Sequence, residues 1–328
     1  MEAALRTLYA ALMVLSASAA VCGNLFILTV LLLNKELQSD TLCLTLSFSL
    51  SDLATGLSVI PFGAYNSLSW PAVYPSQGVF CQGSGFILLL LQASSLQSLT
   101  WATVDRFSAL CFALSYRSMW TSRRSWVLLV LVWFFCLLNA TLPLLGFGSY
   151  AYSKSRFLCC VEFTPENRSF VVLWVVVSVA GPVLTICSLY AYMVHIARKQ
   201  ARKGTFVCNE LHCFHVPANT YLRSSAVMAA TSACLLVCWL PFISVCLYET
   251  FSGQQSPEAA AALSTWLALT SAAINPWIIC MTQSRYRSAV HQRLSRFYQS
   301  CSGMVPRLHR SAPTSATETA PSPTPGPQ

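Results

Sequence analysis

TLYAALMVLSASAAVCGNLFILTVLLLN, residues 7–34, carries no charged side chain between Arg6 and Lys35. Its first part has the features of a cleaved leader: a cation, an apolar run and Ala-Ser-Ala-Ala at 17–20. The run continues past that point to Leu33, too long for a leader's apolar region and long enough to cross about 30 Å of hydrocarbon. We therefore read it as a membrane span. The same reading, carried along the chain, gives six more runs at about 41–67, 78–111, 122–146, 169–202, 218–250 and 258–281. None alternates, and each exceeds the roughly 10 residues of a barrel strand, so the spans are helices. The expected fold is an all-α membrane protein, a bundle of seven transmembrane helices.

Composition agrees. Only 9% of the 328 residues are charged and 55% are hydrophobic, with a mean hydropathy of +0.56, whereas soluble domains carry about 25% charge. The net charge of +9 would suit nucleic acid in a soluble protein. Here sixteen of the 20 Lys and Arg fall in segments that share one side of the membrane, among them Lys35, Arg106, Arg117, Arg123, Arg198, Arg223 and the six from Arg285 onward. Arg6, Lys154, Arg156 and Arg168 lie opposite. The positive-inside rule then places the N-terminus outside and the tail in the cytosol, which requires an odd number of spans. No nucleic-acid partner is expected. Most of the 15 Cys lie in apolar segments and read as small hydrophobes. Cys81, Cys159 and Cys160 lie on the oxidising side, where two of them can pair.

Charge inside hydrocarbon marks function. Asp52 is the only charged residue of the second span; with Asn24, Ser95 and Asn275 it offers oxygen donors suited to a small hard cation or to waters. Val-Asp-Arg-Phe at 104–107 ends the third span and alone says little. In order along separate spans stand Gly23-Asn24, Leu-Ser-Asp-Leu at 50–53, Cys81, Asp105-Arg106, Trp133, Pro182 with Tyr190, Cys-Trp-Leu-Pro at 238–241 and Asn275-Pro276. This set resembles the rhodopsin-like (class A) G-protein-coupled receptors over about residues 10–297.

The resemblance implies a receptor domain over 1–297, with a short amphipathic eighth helix at 284–297 on the inner leaflet, followed by a disordered cytoplasmic tail at 298–328. It implies a multi-pass plasma-membrane receptor without enzymatic activity or cofactor. Its partners would be a heterotrimeric G protein, a small neutral or lipid-like agonist, and arrestin. Arg106, restrained by Asp105 at rest, would be released toward the G protein. Trp239, with the Pro241 kink, would switch the sixth span, with Tyr190, Asn275 and Pro276 in the same machinery. Cys81 would pair with Cys159, Cys160 being the alternative. Asn167-Arg-Ser is a glycosylation candidate and Cys301 a palmitoylation candidate. The Cys and His at 208–215 have zinc-compatible spacing but no second cluster, so no metal is expected there.

The resemblance also narrows the ligand. The pocket would be lined by Leu88, Leu89, Gln92, Trp239, Phe242, Cys246 and Thr265. Monoamine receptors carry an aspartate at the place of Leu88, visual pigments a lysine at Leu269, lysophospholipid receptors Arg and Glu near Ser84 and Gly85, and adenosine receptors an asparagine at Cys246. A neutral, largely apolar ligand fits best. Leu-Gln-Ala-Ser-Ser-Leu at 91–96 is similar to adenosine receptors, Leu-Pro-Leu-Leu-Gly-Phe at 142–147 to cannabinoid receptors, and Leu-Cys-Leu-Thr-Leu at 42–46 to receptors that sense lipid amides and raise cyclic AMP. Gs coupling is therefore favoured, with an adenosine-like receptor and a non-signalling decoy as alternatives. Two departures bear on switching: Ile279 replaces the tyrosine of the Asn-Pro-x-x-Tyr pattern, and no acid stands near Tyr221 to hold Arg106. Raised basal activity follows as an expectation. A transporter or membrane enzyme would need paired intramembrane carboxylates or internal repeats, and the sequence has neither.

Overall fold

The computed structural model describes residues 3–34, 41–69, 74–75, 78–112, 115–203, 206–209, 212–215, 218–282, 286–289, 291–292 and 295. Seven helices among them are long and apolar enough to cross a membrane: Ala3–Leu33, Leu42–Leu68, Val79–Cys111, Ser122–Leu145, Pro165–Lys199, Ser225–Ser252 and Glu258–Met281, numbered here spans 1 to 7. Spans 1 to 4 pack in chain order, as do spans 5 to 7, and span 1 closes against span 7. Span 3 runs through the middle, touching spans 2, 4 and 5. The closest approach of spans 1 and 7 depends on Gly23: a Cβ there would meet the Pro276 ring at 3.0 Å, as expected where small residues let helices pack without a hydrophobic drive. Leu15, Val130, Phe134 and Leu184 stay exposed on the outer faces. In water that surface would be costly; in lipid it is the natural one.

Irregularities fall where proline removes a donor. Span 2 breaks at Ser58, between Leu42–Leu57 and Val59–Leu68, because Pro61 cannot donate to the preceding turn. Span 4 ends as a 3-10 turn, Leu142–Leu145, holding Pro143, and Gly146 leaves it at φ 89°. Span 5 carries a π-helical stretch, Val175–Ala180, just before Pro182. Pro241 and Pro276 stand inside spans 6 and 7.

Two short hairpins accompany the helices in the connecting segments. Between spans 4 and 5, β1 (Tyr150–Ser153) pairs antiparallel with β2 (Leu158–Val161). Between spans 5 and 6, β3 (Phe206–Asn209) pairs with β4 (His212–His215); the Cys and His side chains there lie outside the described part. The first hairpin had no signal in the sequence, because its burial comes from the bundle beneath it and not from its own alternation. Of the expected eighth helix, residues 286–289, 291–292 and 295 are helical. Cys301 and the 298–328 tail lie outside the described residues.

Candidate functional site

Three polar or aromatic clusters sit one above another in the bundle. The middle one is built around Asp52, which is 2% exposed. Its Oδ1 accepts from Ser95 Oγ at 2.6 Å and its Oδ2 from Asn275 Nδ2 at 2.8 Å, joining spans 2, 3 and 7. Asn24 stands apart from this set. Its amide donates to the Ala20 and Ala272 carbonyls at 2.9 and 3.1 Å, so it ties span 1 to the backbone of span 7 and does not bond Asp52. The four-residue group expected from the sequence is thus three residues and a neighbour. Asn24 Oδ1 and Asn275 Oδ1 are buried acceptors without a hydrogen-bond partner among the described residues. Beside them a cavity of about 10 Å³ is lined by Asp52, Gln92, Ser95, Trp239 and Ser271, room for roughly one water or small ion. The donor set fits a hard cation. Serines continue the seam inward: Ser51 pairs with Ser94 at 2.7 Å, Ser47 with Ser98 at 3.1 Å, and Trp133 Nε1 donates to Ser47 Oγ at 2.9 Å.

At the end of span 3, Asp105 and Arg106 take different hydrogen-bond partners. Asp105 accepts from Tyr116 OH at 2.7 Å and from Thr41 Oγ1 at 3.3 Å. Arg106 Nη1 donates to Tyr190 OH at 3.2 Å, reaching from span 3 to span 5. Adjacent residues on a helix point about 100° apart, so Asp105 faces span 2 while Arg106 faces span 5. Ile279 is buried in the core nearby. Tyr286, beyond span 7, is buried too; it hydrogen-bonds Thr45, and burial pushes its hydroxyl up to about 12. Tyr116 and Tyr286 were missed in the sequence because single tyrosines in loop and tail segments carry no pattern.

The outer cluster contains the expected pocket residues. Leu88, Leu89, Trp239, Phe242, Cys246 and Thr265 are all buried, and Gln92 is half-buried. Thr265 spends its hydroxyl on the Ala261 carbonyl at 2.8 Å. Trp239 Nε1 has no partner among the described residues. Phe242 makes edge contacts with Trp239, Trp174 and Phe163, with ring centroids 6.2, 6.2 and 6.3 Å apart. Phe163 follows β2, so the loop itself contributes to the pocket wall, a contribution that the span-by-span sequence reading could not reveal.

That loop is a lid. Cys81 and Cys159 are disulfide-bonded with Cα atoms 5.4 Å apart. Successive strand residues face opposite ways, so Cys159 turns to span 3 while Cys160 turns inward as a free, buried thiol; this decides between the two candidates. Tyr150 OH donates to the Ala140 carbonyl at 2.8 Å, and Asn66 Nδ2 to the Phe157 carbonyl at 2.9 Å. Phe157 adopts a left-handed φ of 58°, an unfavourable state for a non-glycine residue, and its ring is buried against Tyr9, centroids 5.3 Å apart. Arg156 Nη2 donates to Glu249 Oε2 at 2.6 Å, while Glu249 Oε1 takes the Ser256 hydroxyl and amide. Asn167 uses its amide on Ser149 Oγ and the Glu162 carbonyl, and an attached glycan would replace one of those hydrogens.

Residues 23–279 match the family model described as 7 transmembrane receptor (rhodopsin family). Among curated proteins, the histamine H2 receptor of Cavia porcellus is 26% identical over 275 residues, covering 83% of this chain and 75% of that protein. The adenosine receptor A3 of Ovis aries is 24% identical over 276 residues, 82% of this chain and 83% of its own. The trace amine-associated receptor 13c of Danio rerio is 27% identical over 274 residues, 79% and 77% of the two chains. With the seven spans, the Cys81–Cys159 disulfide and the ordered motifs in place, the chain belongs to the rhodopsin family of seven-transmembrane receptors, G-protein-coupled receptors of the plasma membrane and not enzymes.

Proposed function

We propose that this receptor takes a neutral, largely apolar, lipid-like ligand between spans 3, 5, 6 and 7 and signals through Gs to cyclic AMP, with raised activity in the absence of ligand and its N-terminus outside. The observation that carries the ligand class is the pocket wall. Leu88, Leu89, Trp174, Trp239, Phe242 and Phe163 present no charge, and the two carboxylates that adjoin them are engaged, Glu249 by Arg156 and Ser256 and Asp52 by Ser95 and Asn275. An ammonium transferred into such a site needs a free carboxylate, so the amines after which two of the relatives are named are poorly served. Adenosine is disfavoured by Cys246, a weak hydrogen-bonding group where a carboxamide would be needed.

Raised basal activity is supported by Arg106, which reaches Tyr190 while Asp105 is held by Tyr116 and Thr41. Trp239 and Pro241 would transmit the pocket's state to span 6, and Tyr190, Asn275 and Pro276 complete the switch. Asn24, Asp52, Ser95 and Asn275 would hold a sodium ion or water. The disordered tail at 298–328, palmitoylation at Cys301, glycosylation at Asn167 and arrestin binding belong to the same proposal.

The test is cyclic AMP in cells expressing the chain or its Arg106→Ala variant at matched surface levels, alone and with oleoylethanolamide, adenosine or histamine. A basal rise lost in Arg106→Ala, and a further rise with oleoylethanolamide only, is the expected result. A response to histamine or adenosine alone overturns the ligand class. Silence in every arm favours the decoy reading, in which Ile279→Tyr would restore signalling.

A further inference from the structure

A cavity opens on the lipid-facing side of the bundle, between spans 3, 4 and 5. About 540 Å³ of space is lined by Gln97 and Trp101 of span 3, Val132 and Phe135 of span 4, and Val177 and Pro182 of span 5, within the range of small-ligand sites. Its walls are β-branched and aromatic, hence stiff.

The polar feature of this groove has a backbone origin. In the π-helical stretch the Gly181 N–H bonds the Val176 carbonyl. A side chain at 181 would collide with that oxygen, a Cβ lying 2.7 Å from it. The next donor in the same register should serve the Val177 carbonyl, but residue 182 is proline and has no N–H. Gln97 fills the gap: its Nε2 donates to the Val177 carbonyl at 3.2 Å. That leaves Gln97 Oε1 and its second N–H unspent among the described residues, half-buried at the groove wall. Trp101 lies one turn further in.

Depth then selects the occupant. Gln97 is 18 residues from Val79 and 14 from Cys111, near the middle of span 3. Thr185 and Pro182 are near the middle of span 5. An unmet amide edge at the bilayer midplane cannot be served by water. It needs a lipid-borne group that both donates and accepts, which a hydroxyl does. A sterol occupies about one leaflet, roughly 15 Å, with its ring hydroxyl at the headgroups and its side chain at the midplane. Ordinary sterols thus bring only hydrocarbon to Gln97, whereas a sterol hydroxylated on its side chain brings the matching group.

We infer that the groove between spans 3, 4 and 5 is a membrane-facing binding site for side-chain-hydroxylated sterols, with the tail hydroxyl on Gln97. It is separate from the interior pocket and stands whatever ligand that pocket takes. The hydroxyl accepts from Gln97 Nε2 and donates to Oε1, while the sterol rings lie along spans 4 and 5.

The experiment uses the full-length receptor in sterol-free phosphatidylcholine nanodiscs, with a photoreactive 25-hydroxycholesterol as probe and peptide mapping by mass spectrometry. Labelling should fall on residues 128–135 and 176–185. A photoreactive cholesterol without the tail hydroxyl should label about fivefold less, the worth of one neutral hydrogen bond. Gln97→Leu should reduce labelling by 25-hydroxycholesterol to that level. Leu131→Trp, at an exposed position of the groove wall, occupies the groove and leaves the Gln97–Val177 contact in place; it should abolish labelling and decides the matter if Gln97→Leu does not fold. Equal labelling by the two sterols, labelling that survives Leu131→Trp, or labelling confined to other segments overturns the proposal.

Discussion

Arg156 Nη2 and Glu249 Oε2 meet at 2.6 Å with side chains only 5% and 7% exposed, so the lid of the receptor is tied to the outer end of span 6 by a buried ion pair. The pair joins the element that covers the pocket to the helix expected to move on activation. Removing one partner leaves an uncompensated buried charge, which costs about 3–5 kcal/mol, whereas removing both in favour of apolar groups is often neutral. Glu249→Ala should therefore lower the thermal-unfolding midpoint of the detergent-solubilised receptor markedly, and Arg156→Met with Glu249→Leu should recover most of the loss. Equal destabilisation by the single and double variants would show that the pair's contribution is packing and not charge.

The same tie shields Cys160. Burial pushes its thiol up to about 11, Arg156 only partly opposing this. A thiol reacts as its thiolate, so alkylation should accelerate about tenfold per pH unit up to that value, where an exposed thiol of pKa about 8.5 levels off earlier. Because the folded value is raised, the protonated form is the one the fold favours, and deprotonation opposes the closed lid only above the ordinary thiol range. Mass-spectrometric alkylation of the Cys160 peptide should be slow at pH 7.5 and become faster in Glu249→Ala as the lid loosens. Fast reaction in the unaltered protein would contradict a closed lid.

Tyr190→Phe removes the hydroxyl that receives Arg106 and changes nothing else on the side chain. A hydrogen bond to a charged group is worth about 1.5–3 kcal/mol. If that contact favours the signalling arrangement, basal cyclic AMP should fall by at least about tenfold in the underlying equilibrium. An unchanged basal level at equal surface expression would remove the Arg106–Tyr190 contact from the account.

Tyr116→Phe tests the other half of the arrangement and should act in the same direction for a different reason. Without the 2.7 Å bond from Tyr116, the Asp105 carboxylate retains only the longer contact from Thr41. It is then available to Arg106, its neighbour, and the restrained state gains. Basal signalling should drop in Tyr116→Phe and recover when Asp105→Asn is added. A rise in the single variant would mean that Tyr116 itself holds the receptor at rest.

The spans and their order were legible because apolar runs and lone intramembrane polar groups are local signals, and Asp52, Ser95 and Asn275 do converge. That the Asn24 amide turns to the Ala20 and Ala272 carbonyls was not legible, because the sequence gives depth along a helix but not rotation about it. Arg106 turned from Asp105 for the same reason, and its partner Tyr190 lies 84 residues away. The lid was illegible: Phe163 packs on Phe242, Arg156 reaches Glu249, and Asn66 bonds the Phe157 carbonyl. All three pair a short loop with distant helices, and nothing within ten residues of the loop encodes them. The strand alternation that sends Cys159 toward span 3 and Cys160 the other way could have chosen the disulfide, had the strand itself been foreseen.

The Asp52 cluster makes a prediction that depends on size as much as on charge. Both carboxylate oxygens already accept one hydrogen bond, and the adjoining cavity of about 10 Å³ holds one water-sized body. Anything bound there must be small and hard, and it meets the Asp52 carboxylate and the Ser95 and Ser271 hydroxyls that line the cavity. Sodium should therefore raise the thermal stability of the purified receptor, saturably, where the same concentration of the larger potassium ion does not. Asp52→Asn should abolish the difference, because the neutral amide removes the charge while keeping the shape. Asn275→Ala should weaken it further than Asn24→Ala, since Asn275 touches Asp52 at 2.8 Å and Asn24 is held by backbone carbonyls. Equal stabilisation of the unaltered receptor by sodium and potassium would assign the cluster to waters alone.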